Sequence, residues 1–236
     1  LPTFAPGFRA LVAGCGTGQE PLRLALSCPD AEVVGVDLSH QSLGYAARMQ
    51  NELGVGNLHL YQGDLLDVAE LGRFDVVISN GVLHHMAEPL RGWQALVDVL
   101  TDEGWMKVGL YSEIARASIV AARERIAALG LQPDLSGIRR FRAMVFSGDL
   151  ADLGELAHSD DFYASSAVRD LVFHACEHRF DLTELATIVD GLGLDVIGFE
   201  QVDPAARSAF DAASGGIFER WRAVERQRPD TFRGMY

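Results

Sequence analysis

The sequence predicts an α/β fold, a mostly parallel, doubly wound sheet with a helical insertion between its fifth and sixth strands. Three observations carry this. From Ala10 to Tyr111, short apolar runs alternate with amphipathic stretches, the pattern of a parallel sheet covered on both faces. A glycine-rich turn directly follows the first run. The alternation stops after Tyr111 and resumes at Asp181.

The first strand is Ala10–Ala13, and it breaks into Gly14, Gly16 and Gly18. A helical segment follows, with Pro21 where a first turn tolerates proline. Residues without Cβ let the backbone turn sharply and approach a ligand closely, and the N–H groups opening the helix then face it. The spacing is G-x-G-x-G, because Gln19 occupies the place of the third glycine in a dinucleotide fingerprint. A tight turn with no ligand is the plainer alternative.

Glu32–Asp37 is a second strand ending in a carboxylate. Asp37 follows Gly14 by 23 positions, near the ~20-residue spacing at which an acid meets ribose hydroxyls. Ser39 is placed to cap a helix carrying Leu43, Ala46, Ala47, Met49, Gln50 and Leu53, which Gly54 ends. Leu58–Gln62 is a third strand, with Gly63-Asp64 at its end. Phe74–Ser79 is a fourth, leaving through Asn80-Gly81-Val82-Leu83-His84-His85. A helix over Pro89–Leu100, a turn at Asp102–Gly104 and a fifth strand over Trp105–Tyr111 complete the run. Gly14–Gly18, Asp37, Asp64 and Asn80–His85 all fall at carboxyl ends of strands, the edge where such sheets bind ligands.

Across 113–180 the pattern is helical, with segments at Glu113–Leu129, Ile138–Phe146 and Ser166–Cys176 around an acidic stretch over Gly148–Asp161. Asp181 with Glu184 forms a capping-box-like start to a helix over Leu182–Leu192. A sixth strand is expected at Asp195–Glu200 and helix at 204–226. This gives a core of 1–112 and 181–236, and an insertion of 113–180 expected to cover the acceptor side.

The 236-residue chain carries a net charge of −13, which opposes attraction to nucleic acid and anionic membranes. Arg139, Arg140 and Arg142 form a short basic cluster of the kind that is usually a solvated face. No apolar run approaches the ~18 residues of a membrane span. Cys15, Cys28 and Cys176 are an odd, sparse set that suits free thiols in a reducing cytoplasm. The chain opens on Leu1 rather than Met, which reads as a piece of a longer protein.

Ala10–Gly18, the acidic end of the second strand, Gln62-Gly63-Asp64 and FDVVISNGVLHH together resemble the class I S-adenosylmethionine-dependent methyltransferases, a Rossmann-like family. The wording AGCGTGQE, VGLYSE and FHACEHRFDL looks like methyltransferase domains that follow tetratricopeptide repeats in some bacterial proteins, so an N-terminal repeat domain is expected in a longer parent chain. The resemblance implies S-adenosylmethionine as cofactor and S-adenosylhomocysteine as product. The implied binding set is Gly14, Cys15, Gly16, Gly18, Gln19, Asp37, Leu38, Gly63, Asp64, Leu65, Asn80 and Gly81. Asp37 would hold the ribose hydroxyls and Asp64 the adenine amino group, with the Leu65 amide near the ring. The Asn80 carbonyl would help hold the cofactor's amine. Two departures stand out. Val12 replaces the acid usually found two places before the first motif glycine, leaving Gln19 and Glu20 as the nearest polar substitutes. Only Thr231–Tyr236 remains after the last helix, too little for the family's seventh strand.

Methyl transfer needs an acceptor aligned in line with the S–CH3 bond, and a base only where the acceptor must lose a proton. His85, then His84, is the candidate base or orienting group; a helix-start histidine bonded to backbone is the alternative. Tyr111 and Tyr163 read either as acceptor-pocket residues or as packing aromatics. Cys15 reads as a small packing residue. His174-Ala-Cys-Glu177-His178 matches an inverted zinc-protease signature, but the fold reading assigns no metal. The acceptor is an unidentified N, O or C atom on a small molecule or protein. A cofactor-binding module without catalysis and a nicotinamide-dependent oxidoreductase are the competing readings.

Overall fold

The computed structural model describes residues 4–158, 160–173, 177–200 and 203–236. Strands β1 (Arg9–Ala13), β2 (Glu32–Asp37), β3 (Leu58–Gln62), β4 (Phe74–Asn80) and β5 (Leu100–Gly109) form one sheet in the order β3-β2-β1-β4-β5. Every pairing is parallel. The chain builds outward from β1 to β3, then crosses back to lay β4 on the other side of β1. At that reversal a crevice opens at the carboxyl ends of the strands.

Local chemistry sets the flanking helices. Helix α1 (Gln19–Ser27) starts from Gly18, which is left-handed at φ 84°. Helix α2 (His40–Leu53) is capped by the Ser39 hydroxyl, which accepts from Ser42 N, and ends at left-handed Gly54. Helix α3 (Pro89–Asp98) begins on Pro89, whose missing N–H would have had no helical partner anyway. Val12, Leu22, Ala25, Val33, Leu43 and Ile78 share one apolar cluster between sheet and helices.

Contacts divide the chain into two compact units. The first holds the chain up to Leu110, with Thr183–Glu200 and Met235–Tyr236, and includes the sheet and most of α7 (Leu182–Gly191). The second holds Tyr111–Leu182 and the described residues of 201–234. It contains α4 (Ala117–Ala128), α5 (Leu135–Ser147), α6 (Ser165–Val172), α8 (Pro204–Ala212) and α9 (Ile217–Gln227). Its core is built on Ile119, Ile126, Ile138, Phe141, Phe162 and Val168. The Glu177 side chain is fully buried there, between Arg116 at 2.6 Å and Arg123 at 2.9 Å. The Ser112 hydroxyl donates to the buried Glu225 carboxylate.

Four expectations change. The region 204–226, grouped with the core by pattern, is two helices that fall in the second unit. Asp195–Glu200 forms no strand. Only Val196 and Phe199 are half-buried and Ile197 is 70% exposed, so the segment lacks the two covered faces that a parallel strand needs. Lys107 and Glu200 still pair, without a ladder. The expected turn at Asp102–Gly104 lies inside β5, where Phe74 faces Leu100 but Val76 faces Trp105, so Thr101–Gly104 bulges from the register. β5 ends at Gly109, opposite Asn80 at the end of β4, which leaves Tyr111 outside it. No described helix is long and apolar enough to cross a membrane.

Asn57 fastens the outer edge of the sheet. Its side-chain amide donates to the carbonyls of Ala25 (3.3 Å), Cys28 (3.1 Å) and Ala31 (2.9 Å), tying the end of α1 and the approach to β2 to the start of β3. Asn57→Ala is expected to destabilise the protein by about 1–2 kcal/mol, read as a lower urea midpoint at unchanged slope.

Candidate active site

A cavity of about 530 Å3 opens at the carboxyl ends of the strands, at the β1/β4 reversal. That size suits a small-molecule site. Of the residues singled out in the sequence, Gly14, Asp37, Leu38, Gly63, Asp64, Leu65, Gly81 and His85 line it.

The glycine loop is built for this place. Gly14 and Cys15 both donate to the Val36 carbonyl, at 2.8 and 3.0 Å, which fixes the end of β1 against β2. Gly14 has φ +74°, and a Cβ there would lie 2.2 Å from Val82 Cγ2 in the loop after β4. Gly18 has φ +84°, and its Cβ would lie 2.6 Å from that of Ala46 on α2. Both positions therefore exclude side chains on conformation and on space. At Gly16, Gly63 and Gly81 a Cβ would meet only open space.

Asp37 joins the loop to the next helix. One carboxylate oxygen accepts from Gly16 N at 2.7 Å and the other from Ser39 N at 2.8 Å. A carboxylate offers about four acceptor sites, so this leaves capacity for a ligand hydroxyl. Leu38 beside it lines the cavity while 70% exposed, an apolar surface that the protein's own core does not cover. Just beyond the end of β3, Asp64 accepts from Leu66 N at 3.0 Å and starts the short 3-10 turn Leu65–Leu71, with Leu65 buried. Asn80 ends β4, and Gly81 N donates to the Gly109 carbonyl at 3.3 Å.

The two histidines separate. His85 is half-buried and lines the cavity, whereas His84 is completely buried and meets the His85 ring edge-on with centroids 4.4 Å apart. Tyr111 lies in the second unit, its ring under the Arg116 guanidinium at 3.7 Å, and it is not among the described lining residues. Tyr163, also in the second unit, is 62% exposed and donates from its hydroxyl to the Ala157 carbonyl. Gln19 and Glu20 do not line the cavity either: Gln19 is exposed, and Glu20 pairs with Arg23 at 2.7 Å. Val12 is a core residue of the apolar cluster, which accounts for the missing acid in packing terms.

Cys15 is buried behind the loop. Burial, and secondarily the Asp37 charge, push its thiol up to about 12 against a smaller opposing backbone hydrogen bond. Of the H-x-x-E-H motif, His174 lies outside the described residues, and Glu177 is engaged by two guanidinium groups. No group of His, Cys, Asp and Glu among the described residues could hold a metal ion.

Sequence reasoning missed Val36 and Leu66 and, after β4, Val82, Met86, Ala87, Glu88 and Arg91, which complete the lining. The position of their loop after β4 was legible, and Pro89 marked where α3 begins. Which side chains turn inward depends on how that loop folds over Gly14, and no local pattern encodes that.

A family profile described as a methyltransferase domain matches residues 5–132. An uncharacterised protein of Synechococcus sp. is 31% identical over 227 residues, covering 92% of this chain and 54% of its own length. The magnesium-protoporphyrin O-methyltransferase of Rhodobacter capsulatus is 39% identical over 90 residues, 38% of each chain. In three dimensions, PKMT2 from Rickettsia typhi shares the fold, with a TM-score of 0.76 at 18% identity over 97% of this chain and 48% of that one. A second structure of PKMT2 is in complex with AdoHcy. The chain thus spans about half the length of the two relatives that it matches almost throughout.

The raised Cys15 thiol has a direct chemical consequence. Buried Cys15 stays in the protonated, unreactive form at pH 8. Brief iodoacetamide treatment of the folded protein is therefore expected to alkylate Cys28 and leave Cys15 intact, as read by peptide mass spectrometry.

Proposed function

The chain belongs to the methyltransferase domain family, and on that premise we propose that it transfers the methyl group of S-adenosylmethionine to an N, O or C acceptor on a small molecule or a protein, releasing S-adenosylhomocysteine. The observation that carries the cofactor assignment is the meeting of Asp37, Asp64 and the loops after β1 and β4 in one cavity at the sheet reversal.

The residues present suit that cofactor. Open space over Gly16, Gly63 and Gly81 leaves room for it against bare backbone. Asp37 offers acceptor capacity for ribose hydroxyls, and Asp64 for the adenine amino group. Leu38 and Leu65 offer apolar surface to a planar ring. Gly14, Cys15, Gly18 and Gln19 shape the loop and the α1 start beside the methionine part, and the Asn80 carbonyl is assigned to the amine. Bound there, the cofactor supplies a methyl already activated by its sulfonium. The protein's own task is to align the acceptor and exclude water. His85, facing the cavity, is assigned to orient the acceptor or take its proton. His84 is assigned to packing behind it. Tyr111, held under Arg116, has no assigned contact with the reaction.

We assign acceptor choice to the helical unit, since variation outside the shared core is what selects substrates in such folds. Rhodobacter magnesium-protoporphyrin O-methyltransferase matches this chain over less than half its length, so its acceptor does not transfer. A cytoplasmic setting, with no membrane or nucleic-acid partner, belongs to the same reading; the net charge of −13 and the free Cys15 and Cys28 support it. The competing reading, a cofactor-binding module without catalysis, is kept by Val12. Cofactor binding with no turnover on any acceptor pool would favour it. Family membership removes the nicotinamide alternative.

Calorimetric titration tests the cofactor assignment. S-adenosylhomocysteine is expected to bind the wild type at micromolar Kd and Asp37→Asn about 10- to 100-fold more weakly, the loss of a charged acceptor. Equal affinities would overturn the role given to Asp37. For His85→Ala, S-adenosylhomocysteine affinity is expected to stay within about threefold while turnover on a responsive acceptor falls about 100-fold or more. Unchanged turnover would return His85 to an ordinary loop residue.

A further inference from the structure

A second hollow of about 530 Å3 lies at the opposite edge of the same sheet, lined by Phe4, Phe8, Trp105, Asp75 and Glu103 with the turn between the two phenylalanines. Phe8 precedes β1, Asp75 is near the start of β4, and Trp105 pairs across from Val76. These are amino-terminal positions, whereas the first cavity sits at carboxyl ends, so the two sites are distinct. We propose that this hollow binds an alkylated ammonium group.

Three features select that chemistry. The first is aromatic surface that the core leaves uncovered. Phe4, Phe8 and Trp105 are each only partly buried, and the Phe4 and Phe8 rings pair at 4.9 Å. The second is uncompensated negative charge. Asp75 accepts from Arg9 N at 2.9 Å and from the Thr101 hydroxyl at 3.3 Å, both neutral donors, and Glu103 is exposed. No lysine or arginine is among the described lining residues. The basic groups on these strands have other partners: Arg9 holds Glu32 and the Leu71 and Arg73 carbonyls, Arg73 holds Asp102, and Lys107 holds Glu200. The third is the bulge over Thr101–Gly104, which carries Glu103 out of the ladder beside Trp105. Bulges commonly re-aim a side chain at a site.

An anion is repelled by the two carboxylates, and a neutral apolar ligand leaves them unused. A bare ammonium is compact and strongly hydrated, so it resists leaving water for ring faces. Alkyl groups spread its charge and weaken its hydration, which lets aromatic faces and carboxylates act on it together. The group could be carried by a free quaternary amine or by a methylated lysine side chain. This site does not depend on the methyl-transfer reading.

The test uses the intact chain with choline as probe and 3,3-dimethylbutan-1-ol, its neutral isostere, as control, followed by saturation-transfer NMR and calorimetry. Choline is expected to bind saturably and about tenfold or more tighter than the isostere. Glu103→Gln, an exposed change that removes charge alone, is expected to weaken choline about threefold or more, and Trp105→Leu more strongly, with circular dichroism confirming that both fold. A trimethyl-lysine peptide binding at least tenfold tighter than choline would assign a protein-borne group, and equal binding a free amine. No saturable choline binding, equal binding of the isostere, or wild-type affinity in both variants would overturn the proposal.

Discussion

Asp37 accepts from Gly16 N with one oxygen and from Ser39 N with the other, joining the loop after β1 to the helix after β2. A glycine-rich loop is entropically costly to order, because glycine has the most conformational freedom to lose. One anchored carboxylate fixes that loop from the neighbouring strand by accepting from the Gly16 N–H, while Gly14 N and Cys15 N are held by the Val36 carbonyl. The same anion sits at the opening of α2, where the helix dipole favours negative charge. The loop, the start of α2 and the cavity wall are therefore set by a single side chain at the end of β2.

The sheet order determines what faces that carboxylate. Because β1 lies between β2 and β4, the loops after all three strands meet, and Val82 packs where a side chain on Gly14 would stand. The closeness of that contact makes the first motif glycine a steric requirement of the β4 loop as much as of any ligand. Val12 and Cys15 belong to the apolar cluster behind the loop, so the floor of the site is also the core of the unit. A small side chain at position 15 serves that packing, and its protonated thiol takes no charge into it.

Much of this was legible in the sequence, because it rests on local chemistry. The five strands, the glycine turn, the Ser39 cap and the strand-end carboxylates all follow from patterns within a few residues. What failed depended on distant partners. Asp195–Glu200 alternates like a strand but forms no ladder. The helices over 204–227 carry amphipathic stripes that do not say which core they join, and they fall with the insertion. His84 and His85 are adjacent and chemically identical, and only the fold of the β4 loop buries one and opens the other. Tyr111 stood at the expected end of a strand, but β5 ends at Gly109, opposite the last residue of its partner β4.

The setting of Glu177 bears on how this chain can vary. Its carboxylate is the shared counter-ion of Arg116 and Arg123 inside the helical unit. Losing Glu177 leaves both guanidinium groups without that counter-ion, whereas losing one arginine still leaves a balanced ion pair, and exchanging the whole group for apolar residues of matching volume can be neutral. The three positions are thus unequal: across descendants of this sequence either arginine can change alone, while Glu177 should change only together with both. A motif that reads locally as a zinc signature is, in this fold, one corner of a charge triangle whose other corners lie more than fifty residues earlier in the chain.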